Sequence, residues 1–341
     1  MRSNPSGQSG FSLIELMIAM VVTLVISASI YGLIAQSNTA FKIQPELADR
    51  QQNIRVAMDV IQRDLQGAGV NLGLGYQVFL QGLDGTGPVG ASGANTDALQ
   101  FVATEADCPD VPALNGACPG ATCPYTASFV TLNLATTIPT CYQSPGYILV
   151  DYGTGSGRWG IGTVVANAGN NKGTVTFASV GGTGADIPDN GGLNVPATAV
   201  PSGMSALDLI RYEIANIPGD TDPSGNPIPG LWRSRTGGHP ATGGAYSAAP
   251  AAAGNWQLLA RGIDDLQVKY ITNDPTTPLD NPPASGGTAT TVVQQVRITL
   301  SARTITVRGT NTVGGSAIRG QLTSVSTIRS ALFYLSGASW Q

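Results

Sequence analysis

An apolar run near the amino terminus constrains the fold more than any other feature of this sequence. The segment from Leu16 to Ile34 carries no charged residue, and its length matches the roughly 20 residues that an α-helix needs to cross a bilayer. A carboxylate, Glu15, stands directly before this segment. An acid at the edge of an apolar helix is costly to insert and tends to be functional, so we expect a membrane helix whose acid has a role.

Three interpretations of this amino terminus compete. A cleaved secretory signal would have a shorter apolar core and a small-residue cleavage site, of which Ala35-Gln36-Ser37 is a poor version. A simple single-span anchor fits the length but gives no role to Glu15 or to the polar segment Met1 to Gly10. The third interpretation accounts for both features, and it depends on the residues around Gly10.

The stretch Gly10-Phe11-Ser12-Leu13-Ile14-Glu15 resembles the processing signal of type IV prepilins, the family of major and minor pilins and of the pseudopilins of type II secretion. The resemblance implies that residues 1–10 are a leader, that a prepilin peptidase cuts between Gly10 and Phe11, and that Phe11 is then N-methylated. It also implies that Glu15 pairs with the new Phe11 amine of a neighbouring subunit. Because an unpaired buried charge is expensive, such a pair sets the register between subunits.

The residues after the apolar run predict that the helix continues to about Gly67. An apolar stripe recurs at helical spacing, and it consists of Leu47, Ile54, Met58, Ile61, Leu65 and Ala68. We expect this stripe to pack on the following domain, and a flanking stripe to carry Arg55, Asp59 and Arg63. Pro45 removes one backbone hydrogen bond. It predicts either a bend or local melting, or a break between two separate helices.

From residue 69 onward the pattern is that of β-strands separated by Gly, Pro, Ser and Asn. The expected strands are Ala98 to Thr104, Ala127 to Leu134, Tyr147 to Tyr152, Gly160 to Ala166, Thr174 to Phe177, Ala206 to Ile214, Leu266 to Ile271, Val293 to Ala302 and Ser324 to Tyr334. The expected long loops are Gly182 to Ser202, Pro218 to Gly230, Gly237 to Gly254 and Asn273 to Thr290. The predicted fold is α+β, with a helix over residues 11–68 packed on a mostly antiparallel β head over residues 69–341.

Two further stretches narrow the resemblance. Arg63-Asp64-Leu65 followed by Ala68-Gly69 is similar to the helix of PilW-type minor pilins. The segment Trp256 to Ile271 is similar to one that PilW-type pilins share with GspJ-type pseudopilins. The resemblance implies a minor pilin that takes part in the assembly and initiation of type IV pili. A GspJ-like pseudopilin of type II secretion, and an adhesive or ligand-binding module displayed on the filament, are the alternatives.

The resemblance also implies partners and a location. The partners are the prepilin peptidase, other major and minor pilins, the inner membrane and the pilus assembly machinery. The chain would cross the inner membrane once with its head outside the cytoplasm, and would reach the cell surface in the pilus. With a net charge of −4 and no basic stripe, the sequence argues against nucleic acid as a partner.

The four cysteines, Cys108, Cys118, Cys123 and Cys141, lie in one Pro-rich region. An all-cysteine zinc site usually shows two closely spaced cysteine pairs, and only Cys118 and Cys123 are close. An extracytoplasmic head favours disulfides instead. Of the three pairings, we expect Cys108 with Cys118 and Cys123 with Cys141.

Other candidate sites have less support. Asp220, Asp222 and Ser224 begin a stretch like a calcium loop, but Leu231 stands where an EF-hand has its bidentate glutamate. A polar turn is the preferred interpretation, with calcium as the alternative. No nucleophile motif accompanies the lone His239, so we expect neither an enzyme nor a cofactor.

Overall fold

The computed structural model describes residues 11–69, 78–79, 83–87, 95–104, 108–113, 129–139, 141–142, 146–151, 157–167, 172–177, 201–235, 256–272, 274–283, 292–308 and 317–328. The chain divides into two compact units, residues 1–49 and residues 50–341. A single helix, α1 (Leu13–Gln66), begins in the first unit and ends in the second.

The first unit contains the apolar part of α1. Residues Leu13–Ala35 form a 23-residue segment that is long and apolar enough to cross a membrane, and none of it is buried. A soluble domain normally buries a continuous apolar surface of this size. Its exposure here therefore favours lipid or other apolar helices as its surroundings.

The helix passes through Pro45 without interruption. The predicted break into two separate helices is therefore wrong, whereas the bend or local melting expected where subunits pack stays a prediction. Proline removes only one hydrogen bond of the ladder, at a cost of about 3 kcal/mol. Helical turns on both sides already fix the neighbouring residues, so continuing the helix needs no new nucleation.

In the second unit, α1 packs on the β head through one face. The side chains on this face are buried, and they are Ile54, Ala57, Met58, Ile61 and Leu65. The predicted apolar stripe is thus confirmed from Ile54 onward. The predicted exposed pair on the flanking stripe is also present, with Arg63 Nη2 at 3.1 Å from Asp59 Oδ2.

The larger sheet is antiparallel, and among the described residues it has nine strands. They are β1 (Leu99–Thr104), β2 (Val111–Pro112), β3 (Phe129–Asn133), β4 (Gly146–Asp151), β5 (Gly157–Asn167), β6 (Lys172–Phe177), β7 (Gly203–Thr221), β8 (Pro227–Arg235) and β9 (Trp256–Arg261). The main path is β3-β6-β5-β4-β7-β8-β9. Strand β7 pairs with four other strands of this sheet. Strands β4 and β8 pair with successive parts of one edge of β7, and β1 and β2 pair with its other edge.

The second sheet has the order β10 (Ile263–Ile271), β11 (Gln295–Arg308) and β12 (Ala317–Thr327) among the described residues. The chain passes from the larger sheet to this one at Gly262, which has φ 79°. A Cβ at Gly262 would lie 3.0 Å from the carbonyl oxygen of Arg303. Gly262 therefore forms a corner that a residue with a side chain fits poorly.

The two sheets and the end of α1 share one apolar core. This cluster joins the buried face of α1 to residues of both sheets, among them Phe101, Tyr212, Leu266 and Leu300. A smaller core lies around β2, β4, β6 and the start of β7, and it includes Val111, Val150, Val175 and Met204. The α+β architecture predicted from the sequence, a long amino-terminal helix with an antiparallel β head, is confirmed.

Some strand and loop predictions differ from the structure. The loop predicted at Pro218 to Gly230 is wrong, because β7 continues to Thr221 and β8 begins at Pro227. The last predicted strand is shifted, since β12 runs from Ala317 to Thr327 and residues 329–334 lie outside the described residues. Most of the predicted loops Gly182 to Ser202 and Gly237 to Gly254 also lies outside them.

Candidate functional site

The start of α1 around Glu15 is the first candidate site. Phe11 and Ser12 precede the helix, and Phe11 is 91% exposed. The backbone N–H of Ser12 donates to Glu15 Oε2 at 3.0 Å. The carbonyl oxygen of Ser12 accepts from the N–H groups of Glu15, at 3.0 Å, and Leu16, at 3.2 Å. Glu15 therefore caps the beginning of its own helix, as the acid of a capping box does.

Sequence reasoning gave Glu15 a partner in a neighbouring subunit and missed this local role. The signal was present as Ser12-x-x-Glu15 directly before an apolar run. Gly10 lies outside the described residues, so the predicted scissile bond has no geometry in the structure. The roles of Gly10, Phe11 and Glu15 in processing and assembly stay predictions.

Asp64 connects the end of α1 to the larger sheet. Its Oδ2 accepts from Arg233 Nε at 2.7 Å and from the Tyr212 hydroxyl. Burial, followed by the negative charge of Asp64, raises the pKa of Tyr212, which keeps this hydroxyl a donor. The three residues of the Arg63-Asp64-Leu65 pattern thus have different environments. The arginine is exposed, the acid binds the sheet and the leucine lies in the core.

The other stretch that carried the resemblance, Trp256 to Ile271, forms the corner between the sheets. A β-bulge lies between Ile263 and Asp265, and Asp264 Oδ2 accepts from Arg319 Nε at 3.0 Å. Asp264 Oδ1 has no partner among the described residues. Burial raises the pKa of Asp264, although the Arg319 guanidinium opposes this shift. These contacts hold β12 against the corner.

The structure joins Cys108 to Cys141, so the expected pairing of Cys108 with Cys118 and of Cys123 with Cys141 is wrong. The two bonded cysteines are separated by 33 residues, but sheet pairing brings them together. Cys108 precedes β2 and Cys141 precedes β4, and both strands pair with β7 at Met204. Spacing along the chain could not show this, because β7 comes much later in the sequence.

Cys118 and Cys123 lie outside the described residues. Since the chain has four cysteines and two are bonded to each other, Cys118 and Cys123 are each other's remaining partners within the chain. We predict that Cys118 and Cys123 form a disulfide. Peptide mapping under non-reducing conditions would detect it, and alkylation of either thiol without a reductant would contradict it.

The candidate calcium ligands lie at the turn between β7 and β8. Asp220 accepts from Arg261 through both oxygens, each at 2.6 Å. Asp222 Oδ1 accepts from the backbone N–H groups of Ser224, at 2.8 Å, and Asn226, at 2.9 Å. This is the geometry of a polar hairpin turn. No group of three His, Cys, Asp or Glu residues in the described part of the chain could hold a metal, and calcium stays the untested alternative to a polar turn.

Asp97 forms a further buried contact that sequence reasoning missed. Its two oxygens accept from the backbone N–H groups of Gly85, at 2.9 Å, and Val268, at 2.7 Å. Burial raises the pKa of Asp97, these two hydrogen bonds lower it, and Asp84 raises it further. The carboxylate thereby joins the turn at residues 83–87 to β10. In the sequence, Asp97 is a polar residue before an apolar strand, and this pattern is too common to identify such a buried contact.

The comparisons with known proteins support the interpretation of the amino terminus. Residues 5–31 match the family model of the prokaryotic N-terminal methylation motif. No curated protein and no solved structure matches the chain. The motif implies processing by a prepilin peptidase and assembly with other pilins, and the apolar helix is consistent with membrane anchoring and pilus display. Together these findings support a type IV pilin-like protein of a pilus or a pseudopilus.

Proposed function

We propose that the chain is a minor pilin of PilW type, a structural subunit that takes part in the assembly and initiation of type IV pili. The observation that carries the proposal is the match to the methylation motif over residues 5–31 at the start of an exposed apolar helix. Within that motif, Gly10, Phe11 and Glu15 stand where the prepilin resemblance requires them.

The proposed mechanism begins with cleavage between Gly10 and Phe11, which creates a positively charged amine on Phe11. In the filament this amine pairs with Glu15 of a neighbouring subunit, while the apolar segments of many subunits pack together. Leaving either charge alone in that apolar bundle would cost about 3–5 kcal/mol. Subunits placed out of register are therefore disfavoured.

The head is the part that would distinguish this subunit from others. Five side chains of α1 belong to its core, namely Ile54, Ala57, Met58, Ile61 and Leu65, so the head and the end of the helix behave as one body. The Arg63-Asp64-Leu65 pattern and the size of the head, residues 69–341, favour a PilW-type pilin over a GspJ-like pseudopilin.

The first experiment is mass spectrometry of the N-terminal peptide of the membrane-extracted chain, with the prepilin peptidase present and absent. We expect a peptide that begins at methylated Phe11 only when the peptidase is present. A chain that begins at Met1 in both cases would contradict the proposal, and a simple anchored domain would replace it.

Deletion strains then separate the pilin from its alternatives. Loss of surface pili is the result expected for a minor pilin. Loss of exoprotein export with normal pili would instead indicate a pseudopilin. Normal pili with lost attachment would indicate an adhesive module displayed on the filament.

A further inference from the structure

We propose that the head binds a divalent cation of the calcium class at the outer edge of β10. The site is a small cavity between the turn at residues 83–87 and residues 280–282. Its ligands are the carboxylates of Asp84 and Asp97 and the carbonyl oxygen of Val268. It is separate from the turn between β7 and β8, and as a property of the single chain it does not depend on the proposed function.

The outer edge of β10 leaves one backbone carbonyl for a ligand. The Leu266 carbonyl oxygen accepts from the Asp97 N–H at 2.8 Å, and the Val268 N–H donates to Asp97 Oδ2 at 2.7 Å. Further along, Tyr270 exchanges two backbone hydrogen bonds with Leu279, both at 2.8 Å. In an antiparallel strand the N–H and C=O of one residue point to the same side, so the Val268 carbonyl also faces this edge. Val268 is only 1% exposed, and its carbonyl has no hydrogen-bond partner among the described residues.

Two carboxylates meet in the same cavity. Asp97 is buried, and its oxygens accept from the N–H groups of Gly85 and Val268. The exposed Asp84 brings its carboxyl group into contact with that of Asp97. Two adjacent carboxylates cannot both stay ionised at low cost unless positive charge lies between them. A cation placed there is bound by both acids and reaches the site from solvent through Asp84.

The hydroxyl of Tyr270 is independent evidence for a ligand. Tyr270 is 2% exposed and lines the cavity together with Asp84 and Asp97. Its hydroxyl makes no hydrogen bond in the part of the chain that the structure describes. Burial, followed by the charges of Asp97 and Asp84, raises the pKa of Tyr270, so the hydroxyl lies near the carboxylates and keeps its proton. A buried hydroxyl without a partner is costly, and this one can bind the ion or donate to a water on it.

The chemistry of these groups favours calcium. Carboxylate and backbone carbonyl oxygens are the ligands that calcium prefers, and the described residues that line the cavity include no His or Cys, which zinc requires. Asp280 also lines the cavity but is paired with Lys269, so the site has two acids and not three, in agreement with the absence of a three-acid metal cluster in the described chain. Calcium takes roughly six to eight oxygens in a flexible geometry, and water supplies the remainder. With two charged ligands we expect a Kd of about 0.1–1 mM, as in extracellular modules.

The test compares melting temperatures of the full-length protein in detergent micelles, in EDTA and in about 10 mM calcium chloride, a concentration above the expected Kd. The variant is Asp84→Asn, which keeps the size of an exposed side chain and removes its charge. The matched control is Asp59→Asn, because Asp59 is an exposed acid on α1 that does not line the cavity. The calcium Kd of each protein is measured by calorimetry.

We expect calcium to raise the melting temperature of the wild type and of Asp59→Asn by about 3 °C. Asp84→Asn should gain much less and bind calcium about tenfold more weakly, because affinity follows the number of charged ligands. In EDTA, Asp84→Asn should melt no lower than the wild type, since it loses the repulsion with Asp97. No calcium shift in the wild type would overturn the inference. Equal shifts in Asp84→Asn and Asp59→Asn would also overturn it, because the ion would then bind elsewhere.

Discussion

Replacing Asp64 with Ala is expected to lower the free energy of unfolding of the head by about 3 kcal/mol. The Asp64 and Arg233 side chains are only 12% and 18% exposed, so both charges are largely removed from water. Removing one member of such a pair leaves the other uncompensated, which costs about 3–5 kcal/mol. The residual exposure of Arg233 places the expected value at the lower end of this range.

The assay is urea unfolding of the full-length chain in detergent micelles, followed by tryptophan fluorescence. Trp232 is buried next to Arg233 in the sequence, and it should report the opening of this contact. The matched control is Asp59→Ala on the same helix, whose pair with Arg63 is 69% and 75% exposed. This exposed pair should contribute less than about 1 kcal/mol. If the two alanine variants shift the unfolding midpoint equally, the reasoning about the buried pair is refuted.

Three further perturbations test other parts of the structure. Cys141→Ser should destabilise the folded state by about 3.7 kcal/mol, from the 33-residue separation of the bonded cysteines, and a reductant should lower the melting temperature of the wild type more than that of this variant. Burial raises the pKa of Asp264 above its ordinary value of 3.8, so the wild type should lose stability as pH rises through the folded-state pKa, and Asp264→Asn should lack this loss. Parallel curves of melting temperature against pH would contradict this. Gly262→Ala should cost about 2 kcal/mol in urea unfolding, from a positive φ and a Cβ only 3.0 Å from a carbonyl oxygen, whereas Gly219→Ala, with open space around the new Cβ, should cost less.

The elements that the sequence predicted well are those with local periodicity. The apolar stripe of α1 is buried from Ile54 onward because helical spacing alone places those residues on one face. The alternation of Val296, Ile298 and Leu300 identified β11 for the corresponding reason, since side chains of a strand alternate between two faces. In both cases the information lies within about ten neighbouring residues.

The elements that the sequence predicted poorly depend on contacts between distant segments. Strand β8 begins with Pro227 and contains Pro229 and Gly230, all of which are depleted in strands. Its pairing with β7 and β9 provides the stability that its composition lacks. The disulfide of Cys108 and Cys141 was mispredicted for the same reason, because β7 determines which cysteines meet.

Glu15 and Asp64 show the same limit at the level of single residues. Both acids stood out from the sequence because each lies in a recognisable pattern at one end of the same helix. A pattern identifies the residue, but the partner comes from elsewhere: Asp64 binds an arginine 169 residues later in the chain, and Glu15 is proposed to bind a second chain. For Glu15, the local geometry adds what the pattern left out, since the Ser12 N–H fixes one carboxylate oxygen. This capping contact belongs to the single subunit, so the proposed pair with a second chain depends on the Phe11 amine, and the mass of the N-terminal peptide with and without the prepilin peptidase tests whether that amine is formed.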